Sequence, residues 1–570
     1  MTISNIEHQR IDDIPLLLAI IAEMGIQAQI DQEIKPHGLW QGCSVGTIVV
    51  VWLSYILTEQ DHRLEPVREW VNKRQALFSR LLGIELRDTD FTDDRLANVL
   101  TMLGLEDSQA LLDRQLNQEW ITLYELPTGV TRYDSTTITV YQEPDEDEEG
   151  IIGYGHSKDH RPDLAQFKVM LSTLDMGLPL ISRVVNGKRA DDGLYIPAYD
   201  EVTQNVGHSR FLAVGDSKMA AWETRAHLAG GGSWYLCPYR EPASRSEDIP
   251  DWIETALAHR DEWQVVTKLD EESGEVRTIA QVYEWSRVQR AVDQAGQEVV
   301  WQERVLVTHS LALQQGMTTR REKGESKLYA ALDKLRLPPK NGRKRYRSKQ
   351  ELSQVVQQLL HKYHLSGVIK VTLTAKKHKD GGERWIVADY EHDQDAWQAM
   401  VDRLGWQIFL TNVPNEAYDA AQIIHTYRHQ PHLERGIARL KSRNLHIRPV
   451  YLHDEQRIVG LTWILVLALR IIVLMEYRVR RELKNRKKMI VGLKPGSKTV
   501  ATQRPTTERM LKAFSDITWS TITLDGTQHH HVTPLTDTQL HILQLLHLST
   551  NVYERLTLDD PKPLFNLRER

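Results

Sequence analysis

Hydrophobic and polar positions change rhythm twice along this chain. Up to about residue 125, apolar residues recur at intervals of three and four, as in IDDIPLLLAIIAEMGI and SVGTIVVVWLSYIL. That spacing predicts helices with almost no strand. From about residue 128, short strand-like runs take over: GVTRYDSTTITVY, QFKVMLSTLDM, PLISRVVN and SRFLAVGDS, then the helical KMAAWETRAHLA and the strand-like SWYLCPY. Strands first and then a strand–helix–strand unit predict a mixed sheet covered by helices.

Between about 240 and 405 the texture changes again. EWQVVTKLD, EVRTIAQVYEW, EVVWQERVLVTHS, IKVTLTAKK and ERWIVADYEH alternate as strands do, while KLYAALDKLR and KQELSQVVQQLLHKYH have helical spacing. An inserted, strand-rich subdomain is expected there. WQIFLTNVP then leads into a helical region from about 416 to 442, and a long helix covers about 454 to 488. The most apolar stretch, IVGLTWILVLALRIIVLM (458 to 475), has the length of a membrane span but carries Arg470. With charged flanks and no second candidate, it reads as a buried core helix, and no membrane association is expected. No repeat of solenoid period occurs.

Composition alters this picture little. With 41% hydrophobic and 26% charged residues, the 570-residue chain is an ordinary soluble globular sequence. The net charge of −6 and pI near 6.5 do not mark a nucleic-acid binder, so any such function must rest on local patches. Two basic runs qualify: RLPPKNGRKRYRSK (336 to 349), with Arg343, Lys344 and Arg345 at its centre, and RVRRELKNRKK (478 to 488). Each reads equally as a solvated face or as a phosphate-binding one. The acidic run EPDEDEE (143 to 149) is expected in a solvated loop. Cys43 and Cys237 are too few for a disulfide framework or a cysteine zinc site, and the first twenty residues lack the marks of a secretory signal. A cytoplasmic location is expected.

One strand raises a chemical question. Asp134 lies in TRYDSTTITVY, where alternation groups it with Val130, Ile138 and Val140, and a bare carboxylate on an apolar face needs a partner. Asp216, in FLAVGDSKMAAW, falls at the carboxyl end of a strand where a helix begins, and an N-cap explains it as readily as chemistry does. In HTYRHQPHLERGIARLKSRN, Tyr427, Gln430, Glu434, Ile437 and Lys441 share one helical face. Pro431 kinks that helix or begins it, and a solvated surface helix is the plain alternative. Carboxylates from two strands and a helix could converge on divalent cations and serve phosphoryl transfer.

At this point the chain resembles the DDE transposases of bacterial insertion sequences, in the group whose third acid sits in a Tyr-x2-Arg-x3-Glu-x6-Lys signature. The signature is similar to Tyr427, Gln430, Glu434 and Lys441 with every spacing kept, YDSTT and VGDSKM resemble the first two acid motifs, and GHSKDHRPDLAQF and LKSRNLHIRPVYLHDEQRIVGLTWILVLAL extend the match. Gln430 stands where the family has Arg.

The resemblance implies a mixed α+β, α/β fold: a ribonuclease-H-like sheet flanked by helices and interrupted by a β-rich insertion, with helical ends. The implied division is a helical, DNA-end-binding domain over 1–125, a catalytic core over 126–240 and 406–490, the insertion over 241–405, and a C-terminal region over 491–570 that serves dimerisation or DNA contact. It further implies that Asp134, Asp216 and Glu434 hold two Mg²⁺ ions, with Mn²⁺ as substitute, for cleavage at terminal inverted repeats and strand transfer into target DNA. Tyr427, Gln430, Lys441, Lys158, Arg161, Arg343, Lys344 and Arg345 are the expected contacts to double-stranded DNA, held by a homodimer. Rival readings are a catalytically impaired DNA-binding derivative, motivated by Gln430 and Pro431, and a hydrolase of small phosphate esters. A histidine metal site at His529, His530 and His531, or at His429 and His432, lacks the usual ligand spacing.

Overall fold

A computed structural model describes residues 3–144, 150–159, 161–240, 248–269, 274–292, 296–336, 346–377, 383–442, 445–497, 499–559 and 561–565. Arg343, Lys344 and Arg345, and with them the expected DNA contacts of that basic run, lie outside these residues. The chain divides into two compact units. The first comprises Met1–Leu236, Arg290–Val300 and Thr426–Arg570, and the second Cys237–Gln289 and Trp301–His425.

The first unit is organised on five strands: β1 (Val130–Thr139), β2 (Gln166–Leu174), β3 (Pro179–Asn186), β4 (Leu212–Val214) and β5 (Trp234–Pro238). Their spatial order is β3-β2-β1-β4-β5. The pairs β1–β2 and β2–β3 are antiparallel, whereas β1–β4 and β4–β5 are parallel. Two hairpin-linked antiparallel pairs followed by parallel additions give a ribonuclease-H-like mixed sheet. The parallel pairs need crossovers, and helices α1 (Tyr195–Val206) and Trp222–Gly230 fall in those connections. Helices α2 (Pro431–Lys441) and α3 (Glu455–Asn485) return later in sequence and pack on β1 and β3 respectively.

Strand β1 does not have the single apolar face expected of it. Tyr133 and Ile138, on opposite faces, are both fully buried, as is Arg132, which shares the Asp134 face. Helices covering both sides remove the in–out alternation that a half-exposed strand would show. Asp134 is one of the few β1 residues left partly accessible.

The N-terminal region is helical as its periodicity predicts, with one exception. Ile3–Arg10 is a strand, antiparallel to Thr518–Leu524, which pairs in turn with Thr527–Val532. His8 Nδ1 meets Ser520 Oγ at 2.7 Å, 512 residues along the chain. A partner that remote leaves no local pattern.

Asp13, at the start of helix Ile14–Glu23, is only 5% exposed, and its Oδ1 accepts the Thr58 hydroxyl at 2.9 Å. Burial pushes its carboxyl up to about 7. The folded chain therefore keeps a proton that the unfolded chain, with a carboxyl near ~3.9, has released, so stability is full below that value and declines as pH climbs to about 7. The loss is on the order of 4 kcal/mol. Asp13→Asn is expected to flatten this decline, as denaturant unfolding below about pH 5 and above about pH 8 would show. An unchanged slope in the variant would refute the assignment.

Helix α3 is the apolar stretch of membrane-span length, and 94% of its most apolar window is buried by protein. The second unit contains strands Gln264–Leu269 and Trp406–Thr411, most of strands Val276–Val292 and Glu298–His309, and an antiparallel hairpin of Ile369–Lys377 with Glu383–His392. Leu328 and Leu332 of helix Leu311–Arg336, Leu352 and Val356 of helix Lys349–Lys362, and Ile369 and Val387 of the hairpin form one of its cores.

Candidate active site

Register brings two acids together. Strands β1 and β4 run parallel with Val130 beside Leu212, Thr131 beside Ala213 and Arg132 beside Val214. Continuing that offset by two residues sets Asp216 beside Asp134. The two carboxylates are close enough to repel: burial pushes the Asp134 carboxyl above the usual carboxylate range, and Asp216 adds to the effect. A Cβ at position 215 would lie 2.9 Å from the Met219 thioether and 3.0 Å from its Cβ, so glycine before Asp216 lets Met219 pack close.

Lys158 answers the question of what pairs with Asp134. It comes from the loop between β1 and β2, and its ammonium lies 3.4 Å from Asp134 Oδ1. The same nitrogen donates to the Ser135 carbonyl and to Ser135 Oγ, and stands 3.9 Å from Asp191 Oδ2. Asp191 in turn pairs with Lys168 at 2.7 Å. Asp216 is held differently. Its Oδ1 accepts the Tyr195 hydroxyl at 2.7 Å and the Lys218 backbone N–H at 2.8 Å. Tyr195 is almost wholly buried at the start of α1, and burial together with Asp216 keeps its phenol protonated and donating. Tyr195 and Asp191 are the partners that sequence reasoning missed. Neither stands in a recognisable motif.

Glu434 is placed on α2, exposed, in the first helical turn. The single polar stripe expected from Tyr427 to Lys441 is broken: Tyr427 belongs to helix Ala420–Arg428, Gln430 caps α2, and Pro431 begins it. Proline is at home there, because a first-turn N–H has no intrahelical acceptor to lose. The Gln430 amide oxygen is buried without a hydrogen-bond partner.

The joint before α2 is tied to β1. Fully buried Arg132 donates to Asp175 Oδ1 through Nε at 2.9 Å and to the Thr426 carbonyl through Nη2 at 2.7 Å. Against the upward push of burial, the His429 ring 3.9 Å away and the hydrogen-bonded Arg132 guanidinium hold the Asp175 carboxyl down at about 2. Gly177, with φ +89°, lets the β2–β3 turn approach α2: an added Cβ would lie 3.1 Å from the His432 carbonyl oxygen. The helix bearing Glu434 is thus anchored two residues from Asp134.

The expected DNA contacts are differently engaged. Lys441 pairs with Asp159 at 3.0 Å, and Arg448 shares that carboxylate at 2.8 Å. Burial lowers the Lys441 ammonium, with Asp159 opposing. Arg161 forks onto Asp163, with bonds of 2.8 and 2.7 Å. Tyr427 is half-buried.

Asp134 and Asp216, with the Lys158 ammonium between Asp134 and Asp191, offer oxygen donors suited to a hard divalent cation. Among the described residues, no three His, Cys, Asp or Glu side chains are gathered tightly enough to hold an ion by themselves. Asp134 and Asp216 are therefore brought together, while Glu434 stands on the neighbouring helix.

Comparison with known proteins bears on this arrangement. Residues 126–471 match the family model described as "Transposase DDE domain". Among curated proteins none matches the chain. Among solved structures, the piggyBac transposase synaptic complex with hairpin DNA aligns with 10% identity and a TM-score of 0.24, covering 51% of this chain and 62% of that one.

Proposed function

The chain belongs to the transposase DDE domain family, whose model spans 126–471, and on that premise we propose that it is the transposase of a bacterial insertion sequence, cutting DNA at terminal inverted repeats and joining the ends to target DNA. The observation that carries this reading is the parallel register that leads Asp216 toward Asp134, whose carboxyl it pushes up, with Glu434 on a helix packed against the same strand. Asp134 and Asp216 would hold a divalent cation, Mg²⁺ or Mn²⁺, and Glu434 would complete the set for two ions. Such a metal, when bound, supplies Lewis-acid stabilisation of the attacking and leaving oxygens.

The chain's own groups do the positioning. Tyr195 orients the Asp216 carboxylate, and Lys158 offsets the charge on Asp134 and fixes its loop beside the acids. Arg132 and Asp175 hold α2 in place. Gln430, where the signature has Arg, hydrogen-bonds phosphate without neutralising it. Tyr427, Lys441, Lys158 and Arg161 are proposed to meet DNA near the cut, Lys441 and Lys158 by exchanging their carboxylate partners for phosphate. The first 125 residues are proposed to bind the element's ends, a homodimer to pair two ends, and the cytoplasm to be the site of action.

The test is cleavage of a labelled duplex carrying the flanking terminal repeat, with Mg²⁺ or Mn²⁺ and with chelator. Metal-dependent nicking at the repeat end supports the reading. Tight binding of the duplex without any cutting favours instead the impaired, DNA-binding derivative that Gln430 motivates. Tyr195→Phe, which removes a hydrogen bond to a charged carboxylate worth ~1.5–3 kcal/mol, is expected to slow cleavage about tenfold or more while leaving duplex affinity unchanged. Equal rates for the variant and the native chain would remove Tyr195 from the machinery.

A further inference from the structure

The basic run from 478 to 488 proves to be one wall of a groove. Helix α2 supplies Arg435 and Arg439, α3 supplies Tyr477, Arg480, Arg481 and Lys484, and the space between them is about 340 Å³. On α3 these residues recur at three, four and seven positions, so they form one stripe. Five cationic side chains line the groove against a single carboxylate, Glu476. Glu476 is shared: Arg439 and Arg480 both bond to it, and Arg439 reaches Glu508 at 3.0 Å as well.

The remaining cations have no such relief. Arg481 donates to the Tyr124 carbonyl at 2.8 Å and lies over the Tyr477 ring at 5.3 Å. Arg435 and Lys484 are exposed. Burial pushes the Arg480 guanidinium down; Glu476 opposes this, and Arg435, Arg439 and Arg504 nearby add to it. Folding has concentrated positive charge here on a chain whose net charge is −6. Such a site gains most from a polyanion, and guanidinium forks suit phosphate oxygens.

We infer that the groove between α2 and α3 is a docking site for the sugar–phosphate backbone of duplex DNA, running beside the helix that carries Glu434. The inference rests on the transposase reading and adds to it a surface between the third-acid helix and α3, formed by residues other than those of the signature. His432, Arg435 and Gly436 wall the groove within two residues of Glu434, so backbone seated there passes the third acid. Because phosphates are contacted and base edges are not, the site adds affinity without sequence preference.

The experiment is a salt titration of binding to a fluorescein-labelled duplex of arbitrary sequence, read by anisotropy on the full chain. Arg435→Gln with Lys484→Gln removes two exposed charges without an ion-pair partner among the described residues, and Lys268→Gln with Lys362→Gln removes two exposed charges from the second unit as a control. Each lost phosphate contact lowers the slope of log K against log salt by ~0.9, so the groove pair is expected to reduce it by about 1.8 and to weaken binding more than tenfold at low salt, with the control pair native. A native slope and affinity in the groove pair, or an equal loss in the control, overturns the groove while leaving the transposase reading intact. Failure of the native chain to bind the duplex at any salt overturns both.

Discussion

Asp134→Asn, Asp216→Asn and Glu434→Gln are each expected to reduce metal-dependent cleavage by about 10³-fold or more, and combining them is expected to cost little further, because groups that act as one unit are not additive. The three substitutions separate by their effect on folding. Asp134 is a carboxylate held above its ordinary range by burial and by Asp216, so an amide there removes an unfavourable charge and raises the melting temperature or leaves it unchanged. Lys158 is not stranded, since Ser135 and Asp191 still receive its ammonium. Glu434 is exposed, and Glu434→Gln is expected to change stability by no more than ~0.5 kcal/mol. Loss of cutting at undiminished stability is the signature of a site and not of a scaffold. If Glu434→Gln cuts like the native chain, the third acid must be sought elsewhere; if all three do, the proposed site fails.

Breaking the ion pair inside the core is expected to have the largest effect on stability. Arg470, in the middle of α3, is fully buried, and its Nη1 meets Asp113 Oδ1 at 2.7 Å while Nη2 donates to the Leu180 carbonyl of β3 at 2.8 Å. Asp113 also accepts the Trp463 indole N–H at 2.9 Å. Arg470→Met strands a buried carboxylate and Asp113→Leu strands a buried guanidinium. Each is expected to cost about 3–5 kcal/mol. The double variant removes both charges and is expected to recover most of that loss, because desolvation of the pair offsets much of its attraction. Denaturant unfolding followed by tryptophan fluorescence checks this. Additive losses in the double variant would show that Arg470 and Asp113 stabilise the fold independently. Since Arg470 joins α3 to β3, a loosened pair is also expected to slow cleavage indirectly.

Arg470 illustrates how much the chain states on its own. One charge within eighteen apolar residues marks a helix buried by protein, because an arginine in a core needs a carboxylate and a carbonyl that only other segments provide. The five strands of the catalytic sheet, the long helix and the strand-rich stretch before Trp406 were equally legible, since β-branched runs and helical spacing are local properties. The three acids were singled out only through the resemblance of the motifs around them, and their shared role is part of the proposed function. Tertiary structure decided the rest. Which residues flank Asp134 depends on the parallel register of β1 with β4, a non-local pairing that brings Asp216 alongside. Lys158 and Tyr195 become partners of those acids only once a loop and a helix fold back over the sheet. The N-terminal strand required a partner 512 residues away, and the Tyr427-to-Lys441 stripe was divided by Pro431, which began a new helix. Periodicity records how each segment meets water. Register, charge pairing and the junctions between helices are set by segments far apart in sequence, and they exist only after the chain has closed on itself.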